Sequence, residues 1–74
     1  MARPKKRSLT IAGHRTSITL EDAFWQALKA AAEESGVSAG ALVSAIDEAR
    51  GGASLSAAIR VYLFARQKPQ LGER

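Results

Sequence analysis

A chain of 74 residues is long enough for one small domain, and at that size a fold usually leans on disulfides, a metal ion or a partner chain. There is no cysteine and only one histidine, so disulfides are excluded, and a metal site would have to come from carboxylates whose positions do not cluster as an oxygen-ligand loop requires. The net charge is +4, no apolar run approaches a membrane span, and the basic start "MARPKKRSLTIAGH" lacks the apolar core of a signal peptide.

The chain is therefore expected in the cytoplasm, with no cofactor, no metal and no membrane partner. Its charge is unevenly spread. Arg3, Lys5, Lys6, Arg7 and Arg15 all precede the first acid, Glu21, while the middle of the chain is acidic. A basic end on a small domain points to a polyanion, most often nucleic acid.

Residues 1–7 hold Pro4 and a run of like charges, which predicts a disordered basic arm. Leu9 and Ile11 then alternate with Ser8 and Thr10, and after Ala12-Gly13 the residues Thr16, Ile18 and Leu20 alternate with Arg15, Ser17 and Thr19. Period two predicts a short strand with Thr16, Ile18 and Leu20 turned inward and Arg15, Ser17 and Thr19 turned outward. Thr19 followed by Asp22 resembles a capping box, so the first helix is expected to start near Leu20. Phe24, Ala27, Leu28 and Ala31 continue it at helical spacing, and Ser35-Gly36 stops it.

Ser38 caps a second helix with Ala39, Leu42, Val43, Ile46 and Ala49 on one stripe, ended by Gly51-Gly52. Ser54 caps a third, with Leu55, Ala58, Ile59, Tyr62 and Leu63 on one stripe and Val61 and Phe64 beside it. The organisation expected is an arm over 1–7, a domain over 8–66 and a flexible tail over 67–74.

Much of the apolar content is alanine, so large side chains are few. At roughly 1.5 to 3 kcal/mol for each fully buried large side chain, against about 1.5 kcal/mol of ordering entropy per residue, one chain has little margin. A strand without a partner and a thin core both call for a second copy. The expected dimer core is Ile18, Leu20, Phe24, Trp25, Leu28, Leu42, Val43 and Ile46. His14, beside Gly13, reads as a turn residue, and Glu33 and Glu34 read as surface charge with no acid-base partner.

A strand, an acidic helix start, the turn "EESGVS" and a serine-capped second helix follow one another in "RTSITLEDAFWQALKAAAEESGVSAGALVSAI". That order resembles the ribbon-helix-helix DNA-binding family, of the Arc/MetJ-like superfamily. With its AGHRTS motif, FW pair and double-glycine break, the stretch from residue 6 to 64 looks like a short bacterial subfamily of it.

The resemblance implies a mainly α fold with a short N-terminal β-strand, an intertwined homodimer, and an additional C-terminal helix beyond the usual pattern. In the family the two strands pair antiparallel and enter the DNA major groove. It assigns base contacts to the outward residues Arg15, Ser17 and Thr19, with Arg15 able to meet guanine O6 and N7. Phosphate contacts fall to Lys5, Lys6 and Arg7 and to the start of the second helix at Ser38, Ala39 and Gly40, where free N–H groups and the helix dipole favour an anion.

The function implied is sequence-specific DNA binding by a transcriptional regulator, a repressor or autoregulator, and not an enzyme. An interaction module is the alternative: an antitoxin-like adaptor or assembly factor that grips a protein through its third helix and binds nucleic acid weakly. Two courses are open for the residues before the strand. If AGHR turns the chain back, Leu9 to Ile11 forms a hairpin with the strand, the dimer ribbon widens to four strands, and protein binding gains weight. If the chain runs straight, those residues are an arm along the DNA backbone.

Overall fold

The structure, a computed structural model, describes residues 3–72, with side chains as far as Arg66. Met1, Ala2, Glu73 and Arg74, the outer ends of the expected arm and tail, lie outside the described residues. Two strands and three helices follow in order: β1 (Pro4–Ile11), β2 (His14–Glu21), α1 (Asp22–Ser35), α2 (Ala39–Ala49) and α3 (Leu55–Gly72).

The chain does turn back. Ala12 and Gly13 sit at φ 52° and 84°, so both central residues of the two-residue turn are left-handed, the combination that matches the twist of the flanking strands. β1 and β2 pair antiparallel from Ile11↔His14 at the turn to Pro4↔Glu21 at the far end. The strand expected to be alone thus has a partner in its own chain. Pro4 to Arg7, expected in the arm, belong to β1. Their like charges are tolerated there because Lys5 and Lys6 stay exposed and Arg7 meets Asp22 at 3.1 Å.

α1 starts at Asp22 rather than near Leu20, and the expected capping box does not form. Thr19 and Leu20 are held in the strand by Lys6 and Lys5, so extended Glu21 becomes the N-cap, with no side-chain cap bond. At the other end Gly36 is left-handed at φ 74°, and Val37 N–H reaches Ala32 O at 3.0 Å, closing the helix as the Ser35-Gly36 signal predicts. Ser38 Oγ accepts from Ala41 N–H at 3.0 Å and Ser54 Oγ from Ala57 N–H at 3.2 Å, so both expected serine caps are made. α3 runs past residue 66 to Gly72, with Ala65, Arg66, Gln67 and Lys68 as good helix formers, although Pro69 within it can donate no backbone N–H.

The core closes within one chain. Leu9, Ile18 and Leu20 from the hairpin meet Leu28 and Ala31 of α1, Leu42, Val43 and Ile46 of α2, and Ile59 and Leu63 of α3. Six residues assigned to a dimer core, Ile18, Leu20, Leu28, Leu42, Val43 and Ile46, are buried here without a second copy, and Phe24 and Trp25 pack half-buried against them. The shortage of large side chains is met by β1 and α3, which supply Leu9, Ile59 and Leu63.

The hairpin edges are partly closed. In a two-residue hairpin the closing pair exchanges hydrogen bonds and pairs alternate from there, so Thr10, Ser8 and Lys6 on β1 and Arg15, Ser17 and Thr19 on β2 aim their backbone groups at the two edges. On the β2 edge the Thr19 carbonyl accepts the Ser56 hydroxyl at 2.7 Å. On the β1 edge α2 approaches so closely that a Cβ at Gly40 would lie 2.3 Å from the Thr10 carbonyl oxygen. The start of one helix therefore abuts each edge.

Candidate nucleic-acid interface

The register sorts the hairpin into two faces. Leu9, Ile18 and Leu20 turn to the helices and are buried, while Arg15, Ser17 and Thr19 are exposed on the opposite face. Pairing sets Thr10 beside Arg15, Ser8 beside Ser17 and Lys6 beside Thr19 on that outer face. All six are exposed, and they comprise two cations and four hydroxyls with no carboxylate among them. Glu21, at the rim, is engaged by Arg60, whose Nε and Nη2 reach Glu21 Oε1 at 3.0 and 2.8 Å. Those hydrogen bonds, helped by the backbone, hold the Glu21 carboxyl below the ordinary glutamate value of 4.5. Arg15 is in no ion pair among the described residues, whereas Arg7, Arg50, Arg60 and Arg66 each face a carboxylate.

Arg7, one of the residues expected at phosphates, is turned inward. Its parity is that of Leu9, so its guanidinium lies under the ribbon, with Nη2 on Asp22 and the group 5.3 Å from the Trp25 ring centroid. Lys29 lies over the same ring at 5.7 Å, which makes Trp25 a support for two cations as well as a cover for the core. Lys5 shares the inner parity but remains exposed, and Lys6 points to the outer face.

The start of α2 flanks the β1 edge near the turn. Ser38 is exposed and occupied as a cap, Ala39 and Gly40 are half-buried, and Gly40 is small because the strand passes beside it. The structure thus brings the start of α2, through Gly40, next to Thr10, which pairs with Arg15. His14 is exposed and opposite Ile11. Glu34 pairs with Arg66 across α1 and α3, and Glu33 is exposed.

A second feature lies away from the ribbon. A groove of about 540 Å³ between α1 and α3 is lined by Phe24, Ala27, Val61, Leu63 and Phe64, with Arg60 at its rim. Val61 and Phe64 remain 66% and 64% exposed. No helix among the described residues is long and apolar enough to cross a membrane, and no group of three or more metal-ligating side chains occurs among them.

Sequence reasoning left Ser8 and Thr10 without a role, although their alternation with Leu9 and Ile11 already gave them the outer parity. Ser56 and Arg60 carried no signal, since their partners lie 37 and 39 residues away.

An antiparallel ribbon with a polar, cationic face, followed by a glycine-turned pair of capped helices, defines a class of nucleic-acid-binding fold. The family model described as Ribbon-helix-helix domain matches residues 4–66, and the chain belongs to this family of DNA-binding regulators, with α3 as an added helix. No curated protein and no solved structure matches the chain.

Proposed function

We propose that the protein is a sequence-specific DNA-binding transcriptional regulator, a repressor or autoregulator working in the cytoplasm, that sets an antiparallel two-stranded ribbon into the major groove. The observation that carries this reading is the outer face of the hairpin: exposed cations and hydroxyls in two columns, with no acid between them. A groove about 12 Å wide admits such a ribbon, and residues of these types meet base edges there. Arg15 would take guanine, Ser17 and Thr19 would donate or accept at neighbouring bases, and Lys5 with the N–H groups following Ser38 at Ala39 and Gly40 would hold phosphates.

The protein would act as a homodimer, as regulators of this kind do, and sedimentation over a range of concentrations tests that part separately. Selection of bound duplexes from a random pool tests the DNA reading. The parent should recover a motif, and Arg15→Ala should lose about 1 to 3 kcal/mol on it and relax one base pair. Lys5→Ala should weaken all sequences alike and reduce the salt slope by about one unit. Equal losses for Arg15→Ala on motif and random DNA would count against base readout.

Two observations favour a second reading, a protein-interaction module working through α3: the hairpin, which would widen a strand-paired dimer ribbon to four strands, and the apolar groove with Val61 and Phe64 at its surface. Under that reading the parent recovers no motif from the pool, and Phe64→Glu abolishes capture of a protein partner while leaving weak, sequence-independent DNA binding intact.

A further inference from the structure

We propose that α3 is a self-association surface, on which two copies of the chain pack their third helices antiparallel about a two-fold axis beside Val61. The contact lies away from the outer face of the ribbon and leaves strand pairing between copies free. It does not depend on the DNA-binding reading.

The outward stripe of α3 carries it. Ala57, Val61, Phe64 and Ala65 follow at helical spacing, turned away from buried Ile59 and Leu63, with Ala58 beside them, and none of the five is polar. Val61 is a ridge between two furrows. On one side is the groove between α1 and α3, and on the other a furrow of about 300 Å³ between α2 and α3, lined by Ile46, Ala49, Ala53, Ala58 and Tyr62.

The symmetry of the stripe names what covers it. A helix rises about 1.5 Å per residue, so Phe64 stands about 4.5 Å along the axis on one side of Val61 and Ala58 the same distance on the other. In an antiparallel pair centred on Val61, each Phe64 therefore comes level with Ala58 of the other copy, at the furrow that the small side chains of Ala49 and Ala53 keep open. Ala65 comes level with Ala57 in the same way, and alanines at the seam let the two helix axes approach closely. A projecting ring and a hollow to take it thus occupy equal and opposite positions on one surface, as an isologous contact requires.

Charge does not oppose the contact. Arg50, Arg60 and Arg66 border the stripe, and each already faces a carboxylate of its own chain, on Asp47, Glu21 and Glu34. Two copies therefore meet without bringing unpaired arginines together. A rim neutralised in this way attracts neither DNA nor a strongly charged protein.

The test combines sedimentation with cysteine cross-linking, which is clean because the chain has no cysteine of its own. Val61→Glu and Phe64→Glu, at exposed positions and checked for folding by their melting, should weaken self-association about 30-fold or more, the loss typical of a central anchor. On oxidation Val61→Cys should link to its own copy, since residues facing each other at the axis come within the roughly 4.4 to 6.8 Å between Cα atoms that a disulfide needs. Phe64→Cys alone should not link, whereas a mixture of Phe64→Cys and Ala58→Cys should give the mixed product. Should a glutamate variant fail to fold, the cross-links alone decide. If Phe64→Glu folds and associates as tightly as the parent, or if Val61→Cys and the mixture give no cross-link, α3 does not join two copies and the proposal is overturned. A parent that shows no association through α3 but binds a different protein, with that binding lost in Phe64→Glu, overturns it as well and gives the surface to that partner.

Discussion

Ser56 donates its hydroxyl hydrogen to the Thr19 carbonyl at 2.7 Å, and through that bond the first turn of α3 covers one end of the β2 edge of the ribbon. A hydrogen bond of this kind contributes about 0.5 to 1.5 kcal/mol net. Ser56→Ala should therefore lower stability by about 1 kcal/mol in urea unfolding. It should also raise self-association in sedimentation, because a bared edge is a template for strand pairing. Unchanged stability and unchanged association together would show that the bond does not guard the edge.

Gly40, in the first turn of α2, and Gly52, in the turn between α2 and α3, differ in what an added Cβ would meet. Alanine is intrinsically better than glycine in a helix by roughly 0.5 to 1 kcal/mol. At position 40, however, its Cβ would lie 2.3 Å from the Thr10 carbonyl oxygen, a backbone atom that cannot swing aside. Gly40→Ala should destabilise the fold by about 1 to 3 kcal/mol as α2 is pushed off β1. Nothing lies within 4 Å of a Cβ at Gly52, so Gly52→Ala should stay within about 0.5 kcal/mol of the parent. Thermal melts of the pair decide the matter, and equal effects would refute the close approach.

The ion pair at the foot of the ribbon sets a pH dependence. Hydrogen bonds from Arg60 first, and from the backbone second, hold the Glu21 carboxyl below 4.5. A depressed carboxylate contributes stability that is present above its unfolded value and is lost as pH falls through its folded one. Glu21→Gln should thus be less stable than the parent at neutral pH, with the difference shrinking as pH drops below 4.5. A gap that stays constant into acid would mean that Glu21 is not stabilised by its charge.

Ala39 offers a separation of fold from binding. It is the first residue of α2, where proline is well tolerated, and Ser38 before it already has the extended backbone, φ −74° and ψ 159°, that proline demands of its neighbour. Ala39→Pro removes an N–H from the proposed phosphate site without disturbing the Ser38 cap to Ala41. Melting should be unchanged and DNA affinity should fall. Ser38→Ala should lose about 0.5 to 2 kcal/mol of stability as well as binding. Full affinity in a well-folded Ala39→Pro would remove α2 from the interface.

What the sequence reveals here is mostly local. Gly36, Ser38 and Ser54 mark helix ends through chemistry that acts within a few residues, and the three helices appear where those residues predict them. The faces of β2 follow from parity at Ile18 and Leu20, whereas Thr16, of the same parity, stays exposed. β1 was harder, because Ala12-Gly13 lacks the asparagine or aspartate that usually announces a two-residue turn, and the charges of Lys5, Lys6 and Arg7 read as an arm. Arg7 turns inward because an aromatic ring and Asp22 await it under the sheet, a meeting that needs the fold. The contacts of Ser56 and Arg60 with Thr19 and Glu21 join positions with no pattern between them. The core reads as thin from sequence because a count of large side chains does not show that Leu9, Ile59 and Leu63 close over the others within one chain.

That order matters during synthesis. The ribbon is made before the helices, but the hydroxyl that occupies the Thr19 carbonyl at its β2 edge is encoded 37 residues after Thr19. At roughly 5 to 20 residues per second, the nascent hairpin waits about 2 to 7 s, plus transit of the ribosomal tunnel, with that edge open. Neighbouring nascent chains on one message expose the same edge at the same time. The residues whose backbone lines it, Arg15, Ser17 and Thr19, are cationic or hydroxylic and not apolar, so the composition that suits a DNA groove also discourages strand-to-strand aggregation between unfinished copies.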